Sequence, residues 1–168
     1  VAEELEDAEL RADLQKVRRA GLHLKGLVTT VLDLTQLESG KYVVQPKPID
    51  VSALLREIVD GAKNEGDANQ NTIEVHVEDG ATSVADRRML QSILFNLIHN
   101  AVKYTKGGTI TVRVTAAEQL DIHIADTGIG MTPRQLQQAF EPFEQADAST
   151  TRKYDGAGLG LAICRGFA

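Results

Sequence analysis

The chain has 168 residues, 42% of them hydrophobic and 25% charged, with a net charge of −6 and a single cysteine, Cys164. That balance supports one good-sized core and excludes wholesale disorder, while the acidic surplus argues against a nucleic-acid-binding surface. One cysteine excludes an internal disulfide or a cysteine-rich metal site and suits a reducing cytosol. No apolar run reaches the roughly 18 residues of a membrane span, so no membrane contact by this segment is expected and any anchor would lie outside it.

Five acids crowd the start, Glu3, Glu4, Glu6, Asp7 and Glu9. From Leu10 the apolar residues Leu14, Val17, Leu24, Val28 and Val31 follow a 4-3-4-3 alternation, with Gly21 and Thr35 in its remaining slots. This is the seam of a coiled coil or helical bundle. Leu27, Leu32, Leu34 and Leu37 widen the stripe, which favours a bundle. The helix should end near Ser39-Gly40, where glycine supplies a left-handed cap. A lone helix cannot bury such a stripe, so self-association through it, as a homodimer, is expected; packing on its own domain is the alternative.

Tyr42 to Ile49 reads as an edge strand because Pro46 and Pro48 are rejected by central strands. Asp50 or Ser52 caps a helix through about Lys63, and Thr72 to Val77 alternates as a strand. A long helix follows from about Arg87 to Tyr104, then a hairpin of Thr109 to Thr115 and Leu120 to Ala125. A short helix around Pro133 to Phe140, an irregular stretch and a last helix from about Gly158 complete the chain. The order predicts an α+β fold with helices over one face of a mixed sheet.

Three segments carry chemistry. In the long helix, Asn96, Asn100 and Lys103 fall at i, i+4 and i+7 and share a face. An amide oxygen suits a hard cation such as Mg²⁺, which takes few protein ligands, and Lys103 can add charge to a phosphate. The same two asparagines can instead make helix–helix hydrogen bonds. Next, Asp126-Thr-Gly128-Ile-Gly130 follows an apolar strand, offering a carboxylate acceptor and two glycines that admit a flat ligand; Asp-x-Gly also marks ordinary turns. Last, Gly156-Ala-Gly158-Leu159-Gly160 heads the final helix, where backbone N–H groups and the helix dipole suit phosphate. It follows a loop with the wrong spacing for a dinucleotide fingerprint. Arg152 and Lys153 lie just upstream in a stretch that reads as a lid.

Taken in order, Asn96-x-x-x-Asn100-Ala-x-Lys103-Tyr104-Thr, Asp126-x-Gly-x-Gly, Phe140-Glu-Pro-Phe143 and Gly156-x-Gly-Leu-Gly-Leu resemble the N, G1, F and G2 boxes of sensor histidine kinases. The resemblance covers roughly residues 10 to 168. It implies a Bergerat-type two-layer α/β sandwich that binds ATP and Mg²⁺, preceded by the second helix of a dimerisation and phosphotransfer hairpin. It divides the chain into that helix (1–40), a linker and edge strand (41–50) and an ATP-binding catalytic domain (51–168) lacking its closing strands. It implies that Asn100 ligates Mg²⁺, that Asn96 supports the same face, and that Lys103 approaches the phosphates. Tyr104 would lie beside the adenine or ribose, and Asp126 would accept from the adenine N6 amine. Gly128 and Gly130 would make room for the ring. Gly156, Gly158, Leu159 and Gly160 would line the phosphates, with Arg152 and Lys153 as lid charges.

The resemblance also implies a cytoplasmic kinase with a response-regulator receiver domain as partner. Two departures qualify it. None of His23, His76, His99 and His123 is followed by an acidic residue, so the phosphoacceptor histidine is expected on a helix outside this chain. The related ATPases of gyrase and the heat-shock chaperones carry Glu where this chain has Asn96, and an amide cannot act as a general base, so fast ATP hydrolysis is not expected. A nucleotide-sensing domain without phosphotransfer, or a scaffold with a decayed site, are the other readings of the same residues.

Overall fold

The computed structural model describes residues 10, 13–14, 17, 21, 24, 28–29, 31–32, 35–37, 39–78, 80–116, 119–142 and 158–167. The chain divides into two compact units, Val1–Tyr42 and Val43–Ala168. In the first, the described residues from 10 to 37 are helical, and Leu10, Leu14, Val17, Leu24, Val28, Val31 and Leu32 are exposed. Gly40 ends the helix at φ +63°, with its N–H on Leu37 O (3.0 Å) and that of Lys41 on Gln36 O (2.9 Å). This is the paired bonding of a Schellman cap, which only a left-handed residue allows. Leu27 and Leu34 lie outside the described residues.

The second unit runs β1 (Lys47–Asp50), α1 (Val51–Ala68), β2 (Thr72–Val77), β3 (Thr82–Ala85), α2 (Arg87–Tyr104), β4 (Thr109–Ala116), β5 (Leu120–Asp126), α3 (Pro133–Gln138) and α4 (Gly160–Phe167). β1 and β3 form an antiparallel pair, whereas β2, β4 and β5 form a mixed sheet, β2 parallel and β5 antiparallel to the central β4. The fold is thus α+β. Alternation sends Ile73, Val75 and Val77, Ile110, Val112 and Val114, and Ile122 and Ile124 to one face of the sheet. There they meet Leu54, Leu55 and Ile58 of α1 and Leu94 and Ile98 of α2. Each fully buried leucine or isoleucine contributes about 1.5–3 kcal/mol relative to exposure.

Three boundaries differ from the sequence reading. The edge strand expected from Tyr42 is confined to Lys47–Asp50. The helix expected to end near Lys63 continues to Ala68, through Gly61 and Gly66. Asp50, not Ser52, is its cap, accepting from Ala53 N at 2.8 Å. β3 was not anticipated, because its four residues, TSVA, are too few to show a period and gain their identity from pairing with β1.

Candidate functional site

α2 is the element on which the site is built. Asp86 caps it, accepting from Arg88 N (2.9 Å) and, from far along the chain, Gln45 N (2.9 Å). Burial pushes this carboxyl up, but the N–H donors of Gln45, Arg88 and Met89 outweigh it and hold its pKa below the ordinary 3.8. Leu90, Leu94, Ile98, Ala101 and Val102 face the core, which leaves Asn96, Asn100 and Lys103 half-buried on the adjoining face. Lys103 Nζ lies 5.0 Å from the centroid of the Tyr104 ring. His99 Nδ1 approaches Glu65 of α1 at 3.4 Å, and its ring lies 4.0 Å from that of Phe95. Burial pushes its imidazole below the ordinary 6.5, although Glu65 pulls the other way.

The C-terminal end of α2 meets the Asp126 loop. Asp126 closes β5, exposed, and its Oδ1 accepts from Gly128 N at 2.9 Å. Gly128 is pressed against the helix end, and Ile129 N donates to Tyr104 O at 3.2 Å. A Cβ on Gly128 would overlap Tyr104 O and stand 2.8 Å from both Asp126 Oδ1 and Thr105 Oγ1. No other residue allows this approach. Gly130 adopts φ +62° in open space, so its backbone, and not crowding, calls for glycine.

Beneath this contact, Asn71 Nδ2 donates to Val102 O and Thr105 O (3.0 Å each), and Asn69 Nδ2 donates to Val102 O at 3.1 Å. These amides satisfy carbonyls that every helix end leaves open. Thr105 itself is fully buried, and its hydroxyl has no hydrogen-bond partner among the described residues. A buried hydroxyl left so costs about 1–3 kcal/mol.

The third segment reaches the middle of α2. Gly158 takes φ +69°, Leu159 is buried, and Gly160 begins α4, which buries Ala162, Ile163, Cys164 and Phe167. A Cβ on Gly160 would stand 2.6 Å from Asn96 Oδ1. Asn96 Nδ2 turns back to Ser92 O at 2.9 Å. The Asn96 amide thus bonds within its own helix, beside Gly160 of α4, while Asn100 makes no hydrogen bond among the described residues. Burial pushes the Cys164 thiol up to about 11, so it stays protonated at neutral pH. Arg152, Lys153 and Gly156 lie outside the described residues.

The loop after β5 and the head of α4 therefore converge on one helix, at Tyr104–Thr105 and at Asn96. A match to the family described as histidine kinase-, DNA gyrase B- and HSP90-like ATPase covers residues 85–168, half of the chain. The chain belongs to this ATPase family. The autoinducer 2 sensor kinase/phosphatase LuxQ of Vibrio parahaemolyticus is 32% identical over 170 residues, covering 96% of this chain and 20% of that protein. The signal transduction histidine-protein kinase BarA of Escherichia coli K12 is 32% identical over 161 residues, covering 91% and 18% respectively. Full-length ShkA, solved in complex with AMPPNP, superposes with a TM-score of 0.73 at 30% identity, over 94% of this chain and 33% of that one. The ATPase-family chain spans about a fifth of the length of the curated relatives it matches.

Sequence reasoning missed Asn69, Asn71 and Gly108 and gave no role to the Thr105 that closes its Asn96–Thr motif; all four meet at the C-terminal end of α2. Gly108 belongs there because a Cβ would overlap Thr127 Oγ1 and stand 2.7 Å from Thr105 Cγ2. The dense polar run Asn69-Gln70-Asn71 was the available signal, since Gln70 adopts φ +59° and its neighbours reach carbonyls more than 30 residues away.

Proposed function

We propose that this chain is the ATP-binding catalytic piece of a sensor histidine kinase, passing the γ-phosphoryl group of ATP to a histidine on another helix. The observation that carries this reading is the convergence of the Asp126–Gly130 loop and Gly160 on α2, each through a contact that a Cβ would block. Such an arrangement leaves a carboxylate acceptor at one end of α2, the Asn100 amide between, and the N-terminus of α4 near its middle. Asp126 accepts from an exocyclic amine of the base, Gly130 leaves open space beside it, and Lys103 and the α4 N–H groups face the phosphates. Tyr104 lies beside the base or sugar, and Arg152, Lys153 and Gly156 serve the phosphate side. Mg²⁺ would neutralise charge on the phosphate oxygens.

The donor set fits that ion. Asn100 offers a half-buried amide oxygen with no bond to another described residue, and Mg²⁺ needs only one or two protein ligands when phosphates supply the rest. Asn96, held by Ser92 O, supplies no general base for water. In the transfer the imidazole nitrogen forms a bond to phosphorus, the bond to the β-phosphate bridging oxygen breaks, and ADP leaves with that electron pair while the imidazole proton passes to solvent. The chain's part is positioning and charge neutralisation.

The exposed stripe of Leu10, Leu14, Val17 and Leu24 supports self-association, and a receiver domain would take the phosphoryl group onward in the cytoplasm. Among the described residues no helix is long and apolar enough to cross a membrane. The test mixes the chain with ATP labelled in the γ position and a helical hairpin bearing an acceptor histidine. Acid-labile, base-stable label on the hairpin, lost in Asn100→Ala, is expected. No label with wild type at saturating Mg-ATP overturns the kinase reading.

A further inference from the structure

We propose that Asp86 is a positioning residue that latches the segment joining the two units to α2, one carboxylate oxygen capping the helix and the other holding the backbone N–H of Gln45. The latch stands without the nucleotide reading above; only its use in phosphoryl transfer rests on that reading. Its starting point is a division of labour within one buried carboxylate. Asp86 Oδ1 accepts from Arg88 N at 2.9 Å and from Met89 N at 3.4 Å, which completes the cap. Oδ2 is not needed for that task, and it accepts from Gln45 N at 2.9 Å, 41 residues back along the chain. Asparagine or serine would cap the helix as well, but neither offers two separate accepting oxygens. A carboxylate is costly to bury, so its place here calls for both partners.

The place of Gln45 gives the bond a use. The first unit ends at Tyr42, whose N–H donates to Gln36 O at 3.2 Å. Val43 and Val44 follow, both exposed and without a hydrogen bond among the described residues. With Gln45 held, these two valines are the whole of the free connection, and its ends can stand at most about 10 Å apart. With Gln45 released, the next fixed residue is Lys47, paired with Ala85 where β1 meets β3. The free connection then grows to residues 43–46 and its greatest span to about 17 Å. Pro46 keeps Gln45 extended, so the released length serves as reach. A shorter tether raises the effective concentration of one unit at the other. In phosphoryl transfer the closed latch therefore narrows the range over which the catalytic unit moves, and release widens it.

The experiment places spin labels on Lys41→Cys and Glu78→Cys, one in each unit, in the whole chain diluted with unlabelled chains; the buried Cys164 takes no label. Pulsed resonance then gives the distribution of label distances in three backgrounds. Gln45→Pro removes the donor and leaves Asp86 untouched, whereas Asp86→Ser keeps a cap and removes the second acceptor. Both variants should broaden the distribution and extend its far edge by up to about 7 Å over the unaltered background. An unchanged distribution in either, or an unaltered background already as broad, overturns the latch; the demand that both agree excludes an effect of the new proline itself. If Asp86→Ser does not fold, amide exchange in wild type joins Gln45→Pro in the decision. The Gln45 amide should exchange roughly tenfold or more slowly than that of Val44, after correction for intrinsic rates, as one hydrogen bond to a charged acceptor requires. Equal rates overturn the proposal. Mg-ATP affinity of Gln45→Pro should match wild type, and a loss there would move the effect of Gln45 from the tether to the site. Failure of wild type to bind ATP removes the use in transfer, while the distances still decide the latch.

Discussion

Replacing Gly128 by alanine tests the contact between the Asp126 loop and α2 directly. The new methyl would overlap Tyr104 O and stand 2.8 Å from Asp126 Oδ1 and Thr105 Oγ1. Tyr104 O is backbone at the end of a helix and already accepts from Ile129 N, so it cannot swing aside. The loop must move instead. Staying in place means overpacking, about 1–3 kcal/mol. Moving out relieves the overlap but strains or breaks two hydrogen bonds, Ile129 N to Tyr104 O and Gly128 N to Asp126 Oδ1, at about 0.5–1.5 kcal/mol each. These are alternatives and do not add, so the expected loss is about 1–3 kcal/mol, or roughly 4–12 °C in melting temperature for a domain of this size. Nucleotide affinity should fall further than stability, because the shift carries Asp126 away from its ligand. Urea denaturation and calorimetry on the same samples separate the two. Wild-type stability together with wild-type affinity in Gly128→Ala would refute the close approach.

Asp126→Ala should weaken ATP by roughly ten- to a hundredfold through loss of one charge-assisted hydrogen bond, with little change for tripolyphosphate; titration calorimetry decides, and equal losses for both ligands would move Asp126 away from the base. Asp86→Ala should destabilise by about 1–2 kcal/mol as a lost N-cap, read by urea denaturation, and should also free the backbone of Gln45 to exchange its amide proton faster. Because the folded pKa of Asp86 is lowered, its stabilisation is present above the unfolded value near 3.9 and fades as pH falls through the lower folded value; the acid limb of a stability–pH curve should flatten in that variant. His99 behaves as a buried base with a depressed pKa, so the unfolded chain takes up its proton first as pH falls below 6.5, and stability declines through that window. His99→Gln should flatten the decline between about pH 7 and pH 5; an unchanged slope would place the titration elsewhere.

The long periodic elements were legible from sequence because burial on one face enforces a period. α2 begins and ends where its apolar spacing said, and β2 and β5 follow their alternation to within a residue. α1 runs past Lys63 to Ala68, and the folded chain has a tertiary reason to keep a glycine in that extension. A Cβ on Gly66 would stand 3.3 Å from Ile73 Cδ1, so the glycine lets the strand lie close. β3 was invisible because pairing, not propensity, makes it a strand. At the site, residue types were readable and their partners were not. Asn96 was grouped with Asn100 as a matching amide, yet its neighbour Gly160 comes from the last helix, beyond any local pattern. Thr105 ends the Asn96 motif without a role the pattern could assign, and only the packing of Gly128 against it shows where its hydroxyl lies.

The two glycine contacts touch α2 at Asn96 and at Tyr104–Thr105, some nine residues apart on one continuous helix. At 1.5 Å of rise per residue the helix sets them about 13 Å apart, so it acts as a ruler whose length no loop movement can alter. Inserting or deleting a single residue between Asn96 and Asn100 would turn everything beyond it through about 100° and carry Asn100 and Lys103 off the face they share with Asn96. Descendants of this chain are therefore free to vary what they hold through the segments resting on the ruler, and not by lengthening it.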